Sequence, residues 1–361
     1  MPEVPLHETH VALGAKMGPF GGWDMPIEYT AGTVAEHTAV RTAVGIFDVS
    51  HMGKLRITGD DAYGFVNSVL ANDLDRIQPG QAQYSMLCNE AGGIIDDLIV
   101  YLVGRNEVRI IPNASNASTV ADVLKAAAPA GITVENRHLE QGIIAVQGPK
   151  SAEVLKALGL PTEHGYMAFE DATWNGHELT VCRTGYTGEH GYEIVIGNEG
   201  IVGLWNAILE VGQPFGVLPC GLGSRDTLRT EMGYPLHGQD ISPEISPVQA
   251  RTGWAVGWKK PEFAGRAALV AEKEAGAARL AWGLIATGRG IPRGHMQVKS
   301  ASGDVVGETT SGTFSPTLQV GIALALLSPA VAEGDELIVD VRGRDLAVKV
   351  VKPPFVAAST K

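Results

Sequence analysis

Apolar positions recur along this chain at two different periods, and the two alternate. Ala62, Phe65, Val66, Val69 and Leu70 fall at helical spacing, with Asp60 or Asp61 placed to cap the helix start. Leu98 to Val103 is a continuous apolar, β-branched run. Gly104, Arg105 and Asn106 then supply a turn, and Val108 to Ile111 continues as a second strand, so this stretch predicts a hairpin. Val120, Val123, Leu124 and Ala127 predict a helix that starts after Asn116 or Ser118. Ile143 to Gln147 reads as a buried strand. Helical spacing returns at Val154, Leu155 and Leu158, and again at Leu204, Trp205, Ile208 and Leu209. Strands and helices mix without a regular strand–helix repeat, which favours an α+β fold over a doubly wound sheet.

The last third changes character. A helix over Ala264–Ala278 leads into segments that read mostly as strands separated by glycine-rich turns. Leu337 to Val341, the turn Arg342–Asp345 and Leu346 to Val351 form a hairpin. Residues 280–358 are therefore assigned to a small β-barrel-like domain.

Composition narrows the classes. A length of 361 residues suggests two or three structural units, and 45% hydrophobic with 19% charged residues supports a large core. The net charge of -12 and the absence of any Lys/Arg run argue against a nucleic-acid partner, whose phosphates call for a basic stripe. The longest apolar candidate, Gly321 to Leu327, is strand-sized, so no membrane span is expected. Cys88, Cys182 and Cys220 are far apart and odd in number. They read as reduced, half-buried thiols rather than a disulfide framework or a zinc site. The first residues show no basic region followed by an apolar run, and the expected location is cytoplasmic.

General catalytic signatures are few. Gly221-Leu-Gly-Ser-Arg-Asp226 follows an apolar strand (Phe215 to Pro219) and opens a helix. It is an imperfect dinucleotide fingerprint, because Asp226 stands where glycine is wanted. Gly92-Gly-Ile-Ile-Asp-Asp97 places two acids where a strand begins, beside glycines that add no bulk against a ligand. The plainer reading is a turn in which both acids accept backbone hydrogen bonds. Thr184 to Glu193 predicts a tight hairpin. Glu193 either faces solvent or reads, with its two oxygens, a ring edge carrying adjacent N–H donors. Arg225 and Arg229 share a helical face at i, i+4, either paired with Asp226 and Glu231 or, for Arg225, turned to a ligand. His51 with Asp48 suggests a structural polar cluster more than a catalytic pair.

Eight blocks in order tie these motifs together. They are Phe20–Pro26, Glu36-His37, Arg41–Met52, Gly92–Asp97, Ala145–Pro149, Thr184–Glu189, Gly221–Arg229 and Thr310–Leu318. In these blocks the sequence resembles the aminomethyltransferase (T-protein) family of the glycine cleavage system. The resemblance implies a three-unit cloverleaf around a central folate site. Residues 1–262 would hold two interleaved units and the β-rich domain the third. It implies transfer of an aminomethyl carbon from the dihydrolipoyl arm of the lipoylated H-protein to tetrahydrofolate, the co-substrate, with no metal. Asp96 would be the key acid near the reacting nitrogens. Asp97 is the alternative, since neighbouring strand residues face opposite sides. Glu193 would accept from the pterin edge and Arg225 would fix that end. Tyr186, Tyr84, Asn113 and Met52 would line the site. Arg266, Arg289 and Arg293 are candidates for meeting an acidic carrier or a folate tail, from their sign and position alone.

Two other readings compete. Folate-dependent demethylases of the same superfamily share the acid motif but take the carbon from another donor. A folate-binding factor for iron–sulfur assembly would carry a cysteine in the region Gly233–Asp240, and none stands there.

Overall fold

The computed structural model describes residues 1–360 and is a mixed α+β fold built from two open sheets, a closed barrel and a small N-terminal hairpin. The chain starts the six-stranded sheet with Val44–Asp48. It then leaves to build a five-stranded sheet from Leu55–Thr58, Gln81–Cys88, Ile94–Gly104, Glu107–Pro112 and Thr133–Asn136. It returns at Gln141–Gln147 and adds Phe169–Trp174, His177–Cys182 and Gly191–Gly197. Val217–Pro219 completes this sheet by pairing in parallel with Val44–Ile46. The first two units are interleaved for that reason. Six strands from Leu280–Ala286 to Asp345–Val351 close the barrel.

Each unit buries its own apolar set. Tyr192, Ile194 and Ile196 alternate into the core of the six-stranded sheet under Leu204, Trp205 and Ile208 of helix Asn198–Gly212. Leu98, Val100 and Leu102 do the same in the five-stranded sheet, against Val120 and Leu124 of helix Ala117–Ala127. Among the described residues no helix is long and apolar enough to cross a membrane.

Several local expectations shift. Asp61 is the N-cap of helix Ala62–Val69 and accepts from the Gly64 amide at 3.2 Å. Asn116 does precede helix Ala117–Ala127 but makes no cap bond, because its amide is used elsewhere. The helix before the barrel is shorter than expected, Arg266–Ala275, with Gly276 at φ +86° ending it. The hairpin over residues 184–193 forms between His177–Cys182 and Gly191–Gly197, so its connection is longer than a tight turn. All three cysteines are fully buried rather than half-buried, and none is bonded to another. Asp48 pairs not with His51 but with His10, at 2.8 Å, and Tyr29 closes that buried cluster through the other His10 nitrogen.

Helix Leu222–Met232 is where the units meet. Gly221 opens it against the backbone of Ile27, where a Cβ would come within 2.2 Å of the carbonyl oxygen. The glycine of this loop therefore serves close packing and not a dinucleotide. At the helix's far end Glu231 has no exposed surface. It accepts from Arg41 at 2.8 Å, from Ser315 at 2.5 Å and from Thr317 at 2.9 Å, and His37 stands 3.3 Å away. Burial raises this carboxyl. His37, Ser315 and Arg41 outweigh burial and pull it down to about 2.

A group depressed in this way contributes stability that is complete above its unfolded value and is lost as pH falls through about 2. Glu231→Ala is expected to cost about 3 kcal/mol near neutral pH, because Arg41 and His37 lose a buried partner. Chemical denaturation of both proteins should show the gap closing below pH 4. A gap that is constant with pH would refute the ionic role.

Candidate active site

The three units enclose a cavity of about 900 Å³. The strand that supplies its acids begins at Ile94, not at Leu98, because Gln81–Cys88 pairs with it from Cys88↔Ile94 onward. Asp96 and Asp97 therefore lie within the strand, opposite Leu87 and Met86. The preceding glycines approach protein rather than a ligand: Gly92 meets the Leu269 side chain and Gly93 meets backbone. A Cβ on Gly93 would fall 1.7 Å from the Pro243 carbonyl oxygen.

Strand alternation then separates the two acids. Asp97, Ile99 and Tyr101 line the cavity. Asp96 is on the face of Leu98 and Val100, has no exposed surface and does not line the cavity. The acid expected to meet a ligand, Asp96, is thus turned away from the cavity, and its neighbour Asp97 is turned toward it. Asp96 instead accepts from the Asn113 amide at 2.9 Å, the Asn113 side chain at 3.0 Å and Asn116 at 2.6 Å. It is a buried anchor for the loop that follows Pro112. Asn116 also bonds His237 at 3.0 Å, and His237 reaches the Ile94 carbonyl, so the anchor spans two segments.

Asp97 is held where it faces the cavity. Tyr84 donates to it at 3.1 Å and Asn113 Nδ2 at 2.7 Å. Asn113 Nδ2 lies within 3.0 Å of an Asp96 oxygen, an Asp97 oxygen and the Asp97 carbonyl, three acceptors for two protons. That geometry clamps both acids to one amide. Burial raises the Asp97 carboxyl above the usual range, against the opposing pull of His237 and the bonds from Tyr84 and Asn113. Burial and then the neighbouring Asp97 charge also raise Asp96.

The opposite wall comes from the six-stranded sheet and the helix Leu222–Met232. Glu193 sits on the cavity side of its strand, between the core residues Tyr192 and Ile194. It accepts from Thr184 at 2.5 Å, and Thr184 in turn meets Tyr101 at 3.2 Å. Arg225 lies over the Tyr186 ring, 4.9 Å from its centroid. Its Nη1 is buried without a hydrogen-bond partner, and burial lowers its pKa. Arg229, on the same helical face, is committed to Asp226 and Asp240 at 2.7 Å each. Tyr186 donates to the Pro235 carbonyl and stacks on Tyr234, which fixes its ring plane.

Met52 and Asn113 also line the cavity, so of the residues expected at a ligand all but Asp96 are brought together here. The expectation missed Thr184, Tyr101 and His51. The alternation of Glu193 and Tyr101 with core residues was the signal that could have found their neighbours. His51 lines the cavity as a buried imidazole. Burial lowers it to about 3, so it is uncharged near neutral pH. Arg266, Arg289 and Arg293 do not line the cavity. Arg266 is used by the Lys260 and Trp258 carbonyls, whereas Arg289 and Arg293 are exposed.

Comparison with known proteins agrees with this architecture. The GCVT N-terminal domain family matches residues 6–260, and the glycine cleavage T-protein C-terminal barrel domain matches residues 279–357. The chain is 59% identical to an aminomethyltransferase of Frankia alni over 99% of this chain and 98% of that one. It is 55% identical to an aminomethyltransferase of Mycobacterium tuberculosis over 99% and 97%. The crystal structure of glycine cleavage system aminomethyltransferase T from Bartonella henselae superposes with a TM-score of 0.94 at 34% identity, covering 99% of both chains. The chain belongs to the glycine cleavage T-protein family of aminomethyltransferases.

Proposed function

We propose that the cavity binds tetrahydrofolate and that the enzyme transfers to it the aminomethyl carbon carried on the dihydrolipoyl arm of the lipoylated H-protein. One observation carries the reading. A half-buried carboxylate, Asp97, faces the same cavity as an acid, Glu193, and a guanidinium with an unpartnered nitrogen, Arg225. The walls suit a flat heterocycle with two N–H donors at its edge. Glu193 offers two acceptor oxygens, Arg225 a free donor, and Tyr186 a ring face. The relatives described above are aminomethyltransferases, which disfavours the demethylase alternative.

In this reading Asp97 is the catalytic acid–base and Asp96 its positioning neighbour. The carbon leaves sulfur and nitrogen and ends bound to two folate nitrogens. Their two protons go one to the thiolate and one to the departing ammonia. Asp97 accepts an N–H from an attacking nitrogen, and its charge stabilises the positive charge that develops there. Burial makes it a stronger base than a free aspartate, which favours a direct part in moving that proton. Tyr84 and Asn113 hold the carboxylate so that no reorganisation is needed as charge appears.

A reconstituted assay tests the reading: the purified chain, tetrahydrofolate and aminomethyl-loaded H-protein, with ammonia and methylenetetrahydrofolate measured. Product is expected from the wild type. Asp97→Asn should lower kcat by about 10²-fold or more, the usual weight of a positioned acid–base. Asp96→Asn should lower Tm and reduce turnover less, since it frees the anchor and not the acid. Full activity in Asp97→Asn would overturn the assignment.

The pH profile gives a separate check. Activity needs ionised Asp97, whose pKa is raised, so kcat/KM should fall on the acid side at a pH above ~4, the ordinary aspartate value. An acid limb at or below that value would contradict the role. For the carrier, Arg289→Glu and Arg293→Glu should raise the apparent KM for H-protein at low salt, with the difference shrinking as salt is added. An unchanged KM would exclude that face.

A further inference from the structure

The bonds that orient Asp97 do not end at the cavity wall. Asn113 clamps Asp97, and the same amide holds Asp96. Behind Asp96 stands Asn116. Behind Asn116 stands His237, a half-buried residue of the loop that follows helix Leu222–Met232. Neither Asn116 nor His237 lines the cavity. No step of the proposed reaction uses the imidazole.

The bond directions along this chain are fixed. Asn113 presents its backbone amide and its side chain to Asp96, and Asn116 Nδ2 brings a third N–H. Turning the Asn116 amide over would set its oxygen 2.6 Å from an Asp96 oxygen, acceptor against acceptor. The nitrogen therefore stays on Asp96, and its second proton points to His237 Nδ1 at 3.0 Å. A ring nitrogen that accepts carries no proton, so the N–H of the ring is on Nε2. That nitrogen meets the Ile94 carbonyl at 3.0 Å, and a carbonyl only accepts. The imidazole in this arrangement is neutral and in a single tautomer. Asn116 also stands at the N-cap of helix Ala117–Ala127, where asparagine ordinarily bonds a helix amide, and makes no such bond. Its side chain is given over to Asp96 and His237.

His237 is itself held in place. The Ile94 amide reaches the Ser242 carbonyl at 3.0 Å, so the loop grips the first residue of the acid strand by both its amide and its carbonyl. Next to His237, the Leu236 amide donates to Asp240, which also takes Arg229, Thr310 and Ser311. The barrel is thereby connected to the acid pair. The charged groups around the ring are Asp96 and Asp97 on the strand, with the Arg229–Asp240 pair behind its own loop.

We infer that His237 is a positioning residue for the reaction: its Nδ1 orients the Asn116 amide onto Asp96, and through Asn113 this sets the carboxylate of Asp97. It does not touch a ligand. The inference rests on the reading of Asp97 as the catalytic acid–base.

Conservative variants separate the two bonds of the ring. His237→Asn keeps an acceptor near the Nδ1 position for Asn116. His237→Gln extends a donor toward Ile94 instead, and His237→Leu keeps neither. In the reconstituted assay His237→Leu and His237→Gln should each lower kcat about 10-fold, and His237→Asn less than about 3-fold, since misplacement rather than loss of the acid is at stake. Calorimetric affinity for tetrahydrofolate should change less than about 2-fold in all three, because the ring is outside the cavity. The acid limb of kcat/KM should move to higher pH in His237→Leu. Burial raises the acid pair and the Asn116 bond opposes it, so loosening that bond lets the pair take up a proton sooner. Any order of kcat other than His237→Asn above His237→Gln would overturn the inference, because the ring would then only pin the strand or fill space. A lower kcat in His237→Leu with an unmoved acid limb would do the same. Unchanged kcat in His237→Leu beside an inactive Asp97→Asn would overturn it and leave the acid reading standing. Full activity in Asp97→Asn would remove both.

Discussion

Everything in this structure depends on a carboxylate that water cannot reach. Glu231 closes the helix Leu222–Met232 and draws all its partners from elsewhere: Arg41 and His37 from an early helix, Ser315 and Thr317 from the barrel. A buried anion is costly unless it is fully satisfied. Its demand for donors therefore fixes the barrel, the first helices and the cavity-lining helix in one relative position. Arg229 and Asp240 repeat the device two residues earlier on the helix, where Thr310 and Ser311 of the barrel donate to the same aspartate.

The cavity follows from that arrangement. Two sheets with one packed face each leave their other faces toward a shared space, and the helix and the barrel complete the enclosure. The chemistry is then set by alternation along two strands. Asp97 and Glu193 face the space because the alternate positions of their strands, Leu98 and Val100 in one and Tyr192 and Ile194 in the other, are needed for the cores behind them. The same rule puts Asp96 out of the cavity and makes it an anchor for Asn113 and Asn116.

Much of this was legible in the sequence. The α+β class, the separate β-rich end and the principal hairpins follow from apolar period and turn residues. The Asp96–Asp97 choice shows where legibility stopped. The apolar run Leu98–Val103 is unbroken, so it gives no alternation by itself. Only the core positions of Leu98, Val100 and Leu102 show that even-numbered residues point inward. Arg266, which looked free by its sign, is occupied by backbone carbonyls.

The strand order carries a consequence for how the chain acquires its shape during synthesis. Val44–Asp48 enters a sheet whose parallel partner, Val217–Pro219, lies some 170 residues later, with the whole five-stranded sheet inserted between. The edge at Val44 therefore waits, unpaired and apolar, until most of the N-terminal two-thirds has left the ribosome. Such long-range closure is slow and leaves strand edges open to wrong partners. The barrel, made from consecutive C-terminal strands, has no such delay. A nascent chain of this architecture is most vulnerable to aggregation midway through translation, before its last domain exists.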